Sequence, residues 1–161
     1  MVDRLTKTRR SWLMSRVRSK NTGPEIRVRS LAHRLGLRFR LHRDDLPGKP
    51  DLVFPRLKLA LFVHGCYWHR HPGCSKASAP ASPFWAAKFR SNVARDKRVQ
   101  AEIRSLGWKV VTIWECETKQ PLTLERLIRR HVLKRKLAHD NKEVSSSRRA
   151  VRVRRAGRSG G

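Results

Sequence analysis

Acidic residues are scarce in this chain. Only 12 aspartates and glutamates stand against 39 lysines and arginines in 161 residues, giving a formal net charge of +27 and a pI near 11.8. Such an excess excludes a cationic partner and points to a polyanion, with nucleic acid first. A membrane surface is the weaker alternative, because no long basic amphipathic helix is spare from core duties. Long apolar runs are also missing. None approaches the ~18 residues that span a bilayer, and the start of the chain, Met1 to Arg10, lacks the apolar segment of a secretory signal. Cysteine is rare: three residues, an odd count that argues against a secreted disulfide framework. The expected setting is the cytoplasm, at the nucleoid when bound to DNA. Hydrophobic content of 39% is enough for one domain with a sizeable core, and no internal repeat is visible.

The body reads as mixed helix and strand. A basic helix over about 8–18 holds Trp12, Leu13 and Met14. Thr22-Gly23-Pro24-Glu25 opens a second, with Thr22 as cap, Pro24 in the first turn and Glu25 completing a capping box. Gly36 ends it. Phe39 to His42 alternates like a strand, Asp51 to Phe54 is a short strand, and Leu57 to Val63 is nearly all apolar and therefore buried. A helical region starts at Ser82-Pro83 and runs to Leu106-Gly107, with a break expected near Ser91-Asn92. Trp108 to Trp114 is another central strand, and a last helix covers about 121–138. Residues 134–161 carry ten lysines and arginines against two acids. They read as a basic tail, either simply solvated or adding diffuse phosphate contacts. The expected division is a domain over 1–133 and a tail over 134–161.

Residues 64–74 concentrate the chemistry: two of the three cysteines, three of the seven histidines, and the adjacent rings of Tyr67 and Trp68. Cys66, His71 and Cys74, with Cys116 far downstream, form a Cys3His set that uses every thiol. Soft thiolates plus one imidazole in a closed set of four suit structural Zn2+. The alternatives are three buried small hydrophobes, or a disulfide between Cys66 and Cys74. His64 and His69 remain available for other work. Asp51 begins a strand after Pro50, where a carboxylate tends to face a cleft and can hold Mg2+ for phosphodiester cleavage; a turn-capping role is the plain alternative.

Pro50-Asp51, a dozen residues, then functional positions leaving a second strand is the restriction-endonuclease-like layout. Phe62-Val63-His64 replaces the usual acidic-x-Lys ending. With that departure and His64-Gly65-Cys66-Tyr67-Trp68-His69, the chain closely resembles the very-short-patch-repair (Vsr) DNA mismatch endonucleases. Further matches are Met14 to Arg18, Thr22 to Glu25, Leu41 to Asp51, Phe84-Trp85, Asn92 to Asp96 and Gly107 to Cys116. The resemblance spans about residues 11–117, and the tail has no counterpart in it.

The resemblance implies an α/β fold with a mixed central sheet flanked by helices and a structural zinc site. It implies that Asp51 binds the catalytic Mg2+, helped by the main-chain carbonyl of Val63. The family often has Thr at that position; a role through the carbonyl survives the change to Val63, and a role through the hydroxyl does not. His69 is implied as general base, since an imidazole titrates near neutrality. His64 and Asp96 are implied as a supporting pair, and Glu25 as reaching metal-bound water. Taken singly, Glu25 reads as a capping residue, Asp96 as a surface ion-pair partner and His64 as a strand-end histidine. Tyr67, Trp68 and Trp85 are implied as a wedge inserted into DNA, with Met14 from the opposite groove; core packing is the alternative for each.

The implied activity is Mg2+-dependent nicking 5′ of the T in a T·G mismatch left by deamination of 5-methylcytosine. The partner would be double-stranded DNA carrying that mismatch, with mismatch-repair proteins and a DNA polymerase acting downstream and no membrane. A monomer is expected. The other readings are a related nuclease of different specificity and a catalytically silent, zinc-stabilised DNA-binding module.

Overall fold

The computed structural model describes residues 6–16, 20–41, 43–80 and 82–142. Its centre is a three-stranded sheet of β1 (Leu52–Phe54), β2 (Leu59–His64) and β3 (Lys109–Trp114), in that order. β1 runs antiparallel to β2, pairing Leu52 with Leu61; β3 runs parallel to β2, pairing Leu59 with Lys109 and His64 with Trp114. The β1–β2 link is a short 3-10 turn over Pro55–Leu57, closed by Lys58 in the left-handed region at φ 44°. A parallel pair needs a crossover, which here contains the long helix α3 (Pro83–Ser105).

β2 is apolar on both faces because both are covered. Leu59 and Leu61 join Leu52, Phe54 and Ile113 against Val28, Leu31 and Ala32 of α2 (Gly23–Arg34) and Leu124 and Ile128 of α4 (Pro121–Ile128). On the other face Ala60 and Phe62 pack with Val53, Leu46 and Ile103 of α3. Strand period two thus divides one hydrophobic run between two layers. Each fully buried large side chain contributes about 1.5–3 kcal/mol.

Several expectations shift. The Phe39 to His42 strand reduces to one antiparallel bridge, Arg40 to Val53; residue 42 lies outside the described residues. β1 begins at Leu52, which leaves Asp51 at its mouth. No break occurs at Ser91-Asn92: α3 is continuous, because Phe89, Asn92 and Ile103 all turn inward along it. The first helix, α1, spans Lys7–Ser15 and so ends before 18. At the C-terminus, α4 passes through a π-helical turn, Arg129–Leu133, and the chain stays helical to residue 142. The helix therefore runs past the boundary expected at 134, and Arg135 Nε donates to Leu57 O at 2.8 Å. The rest of the basic stretch, 143–161, lies outside the described residues. Among the described residues no helix is long and apolar enough to cross a membrane.

Gly48 fixes one close approach. It has φ 69°, and a Cβ there would stand 2.4 Å from Val99 Cγ1. Only glycine combines that backbone with that contact, so the loop leading to Asp51 lies directly on α3.

Candidate active site

A cleft of about 920 Å³ opens beside the ends of β1 and β2. Met14, Glu25, Asp51, Val63, His64, Trp68, His69 and Asn92 line it, together with the cations Lys20, Arg27, Lys49, Lys88 and Arg95. The positive rim suits a phosphate backbone.

Asp51 Oδ2 accepts the Val63 N–H at 2.7 Å. Burial is the main reason its carboxyl is pushed up to about 6; the charge of Glu25 adds to this, while the Val63 hydrogen bond and the charges of Arg29 and His69 oppose it. Glu25 is buried. Its Oε1 accepts from Thr22 Oγ1 at 2.7 Å, and its Oε2 from Asn21 N at 2.9 Å and Arg29 Nη2 at 2.8 Å. The expected capping box is therefore altered. The Thr22 hydroxyl donates to Glu25 instead of accepting a helix amide, and Glu25 reaches the amide of Asn21 instead of Thr22. The pairing with Arg29 holds the Glu25 side chain on the cleft wall.

His64, His69 and Asp96 form the second cluster. Their ligand atoms all lie within 4.8 Å of one another. The family resemblance implies a pair of His64 with Asp96. In the structure His69 Nδ1 and Asp96 Oδ2 make the hydrogen bond, at 2.5 Å, and His64 stacks on His69 with ring centroids 4.0 Å apart and planes 15° from parallel. The cause is local: His69 N donates to Gly65 O at 3.1 Å, so a single turn folds residue 69 back over residue 64. Burial foremost, then the charge of His69, pushes His64 down to about 4, so it is neutral at pH 7. For Asp96, burial acts upward, but the His69 hydrogen bond and the charges of His69, His64 and Arg95 outweigh it and hold the carboxyl below its ordinary value. An ionised Asp96 fixes the tautomer: Nδ1–H of His69 donates to it, which leaves Nε2 as an acceptor.

The aromatic residues make one half-buried stack. Tyr67 meets Phe89 edge-on at 4.8 Å and Trp68 at 5.1 Å; Trp85 lies 5.8 Å from Trp68 and packs on Phe89 at 6.2 Å. Phe89 is the buried anchor, and Trp68 faces the cleft. Asn92, also buried, donates from Nδ2 to Trp68 O at 3.1 Å. Met14 brings a side chain from α1 into the same cleft.

Cys66, His71, Cys74 and Cys116 converge with all ligand atoms within 4.8 Å. His71 Nδ1 is 3.6 Å from Cys66 Sγ and 3.4 Å from Cys116 Sγ. Two ligands at Zn–S and Zn–N distances in a tetrahedron stand about 3.6 Å apart, so the set has the dimensions of a metal site. All three thiols are free, which sets aside the disulfide. Burial, then the neighbouring sulfurs, pushes Cys116 up to about 12, a cost that a bound cation removes. His71 also stacks on Trp114 of β3 at 4.3 Å, so the cluster pins the 64–74 loop to the sheet.

The sequence model of the family described as DNA mismatch endonuclease Vsr matches residues 2–76. A type II nicking enzyme of Xanthomonas oryzae pv. oryzae, V.XorIIP, is 52% identical over 131 residues, covering 80% of this chain and 96% of its own. The DNA mismatch endonuclease Vsr of Escherichia coli K12 is 38% identical over 134 residues, 81% of this chain and 85% of that protein. The chain belongs to the Vsr family. The catalytic domain of homing endonuclease I-Bth0305I has a like fold, with a TM-score of 0.50 at 24% identity over 74% of this chain and 98% of that one. The architecture is restriction-endonuclease-like, and the protein is an endonuclease of the Vsr family.

Within this Vsr-family fold, all five residues expected to carry catalysis line or abut one cleft. Two contributors were not singled out from sequence. Phe89 anchors the aromatic stack, and Asn92 holds the Trp68 carbonyl. Their signal was present: Phe89, Asn92 and Asp96 recur at i, i+3 and i+7, one face of a helix.

Proposed function

We propose that this protein is a Mg2+-dependent nicking endonuclease that cuts 5′ of the T in a T·G mismatch and so starts very short patch repair. The observation that carries the reading is one cleft holding a half-buried, metal-competent carboxylate, a carboxylate-backed histidine and the Trp68 edge of an aromatic stack. Asp51 and the main-chain carbonyl of Val63 would hold Mg2+. The fit rests on Asp51 itself: a half-buried carboxyl raised by desolvation and by a neighbouring glutamate is one that a dication stabilises. When bound, the ion supplies charge stabilisation at the phosphate and a more acidic water.

The chain's own residues do the rest. His69 takes the proton of the attacking water at Nε2. Asp96 stabilises the imidazolium that results. His64 stays neutral and stacks beneath the ring, fixing its plane without competing for the proton. Glu25, clamped by Arg29, would hold its carboxylate oxygens toward water in the cleft beside Asp51. Tyr67, Trp68 and Trp85 enter the duplex at the mispair, with Met14 from the other groove, because a mispaired step costs less to unstack. Cys66, His71, Cys74 and Cys116 would hold Zn2+, which would brace the loop that carries His64, Trp68 and His69. The nick is then passed to mismatch-repair proteins and a polymerase.

A nicking assay on T·G and matched duplexes, with and without Mg2+, tests the whole reading. Cleavage confined to the T-bearing strand of the mismatch in Mg2+ is the expected result. Equal cutting of both duplexes points to a nuclease of other specificity, and no cutting of either to a silent DNA-binding module.

A further inference from the structure

Phe89 also floors a second hollow, of about 450 Å³, on the flank of α3 away from the cleft. Ala86, Arg90, Val93 and Lys97 line it at spacings of four, three and four, one stripe of the helix. That stripe lies about 100° around α3 from the Asn92–Asp96 face that serves the cleft. Arg70 builds the facing wall. It sits in the left-handed region at φ 56°, its guanidinium lies 4.9 Å over the Phe89 ring, and it donates to Ser78 O at 2.6 Å and Ala77 O at 2.7 Å. The wall is thus fixed by the loop. Arg90 and Lys97, by contrast, are exposed and have no carboxylate partner among the described residues, and no acidic residue lines the hollow.

We infer that this groove seats a short segment of a protein partner that is acidic and carries apolar anchors. An apolar floor rimmed by three cations is complementary to alternating Leu- or Phe-like and Glu- or Asp-like side chains. The chain's own basic tail and a second copy of a +27 protein are repelled by that rim. DNA phosphates would satisfy Arg90 and Lys97 but would leave the apolar floor facing a charged backbone. The volume lies within the range of built binding hollows, about 300–1,000 Å³. The groove's occupant does not depend on which mismatch or metal the cleft uses.

The test is selection of a yeast-displayed library of random 12-residue peptides on the full-length protein, with a duplex saturating the cleft in Mg2+-free buffer. Enriched peptides should combine acidic with large apolar residues. Synthesised and measured by fluorescence anisotropy, they should bind R90E/K97E at least tenfold more weakly than wild type, and A94W, which puts an indole on Ala94, a further residue lining the groove, by a similar factor. Nicking by both variants should match wild type. Three results overturn the inference. One is the absence of acidic-apolar enrichment. Another is binding unaffected by both variants. The last is an all-Glu peptide of equal charge binding as tightly as the selected ones, or competition by added duplex, either of which makes the rim a general polyanion contact.

Discussion

Replacing Asp51 with asparagine should stabilise the metal-free protein at neutral pH while abolishing nicking. The carboxyl is pushed up to about 6 from an ordinary 3.8. Between these values the folded protein keeps a proton that the unfolded chain has released. Stability therefore falls as pH rises through this window, and the loss is complete above about 6. A shift of about 2 units at 1.36 kcal/mol each gives a cost near 3 kcal/mol at pH 7. Because Asp51 is only half-buried, screening by water brings this toward about 2 kcal/mol. Asparagine removes the charge and keeps an oxygen that can accept the Val63 N–H, so the strand contact at 2.7 Å survives.

His64 runs the other way. Held down to about 4, it contributes stability that is present above about 6.5 and lost as pH falls from there to about 4. Wild type thus has two opposed slopes between pH 4 and 6 and a shallow net dependence, whereas D51N keeps only the slope of His64. Urea denaturation of both proteins, zinc-loaded and Mg2+-free, reads the difference. D51N should exceed wild type by about 2 kcal/mol at pH 7.5 and by almost nothing at pH 4, and millimolar Mg2+ should raise wild type alone. If D51N is equal to or less stable than wild type at pH 7.5, with an unchanged denaturant slope, Asp51 is not a destabilised buried carboxylate and the metal site built on it fails too.

H69A should lose ~10²–10⁴-fold in single-turnover nicking, the usual range for removing a general base; a loss below threefold would mean that His69 takes no proton. Elemental analysis should find one zinc per chain, and C74S should lower both zinc content and melting temperature, since metal binding and folding are coupled. Removing 143–161 should leave single-turnover nicking intact but flatten the salt dependence of DNA binding, by ~0.9 in the log–log slope for each phosphate that the tail neutralises; identical slopes would free the tail of any DNA role. W68A should lower the ratio of T·G to matched-duplex affinity at fixed salt, and an unchanged ratio would make the stack core packing.

The sheet was legible because its strands are apolar runs bounded by Pro, Gly and charge. Leu57 to Val63 reads as buried from composition alone; the strand itself runs Leu59–His64, because Leu57 and Lys58 are used by the turn. The metal set was legible because cysteine is so rare here that Cys66, Cys74 and Cys116 could hardly serve separate ends. What sequence could not show was pairing. The family resemblance implies His64, His69 and Asp96 in one site, but which imidazole takes the carboxylate depends on the turn at Gly65 and the pitch of α3. The break expected at Ser91-Asn92 failed for a related reason. Two poor helix formers suggest an interruption, yet the buried Asn92 uses its amide on the Trp68 carbonyl and gains more from tertiary contact than propensity costs.

That helix is the element that makes one site out of separate parts. Asn92 and Asp96 lie one turn apart on α3. One grips the carbonyl of Trp68 and the other the ring of His69, the very next residue. Phe89, three residues earlier on the same face, anchors Tyr67 and Trp85. The stack that would enter DNA and the base that would take the proton of the attacking water are therefore fastened to a single rigid rod, while the cysteine cluster fastens the other end of their loop to β3. A displacement of Trp68 on binding must strain the Asn92 hydrogen bond or move His69 with it, since one peptide unit separates them. On the function proposed above, this arrangement would tie the position of His69 to the seating of the aromatic stack, the coupling that selective nicking requires: chemistry would be aligned when the stack is accommodated, and misaligned by about an ångström, at large cost in rate, when it is not.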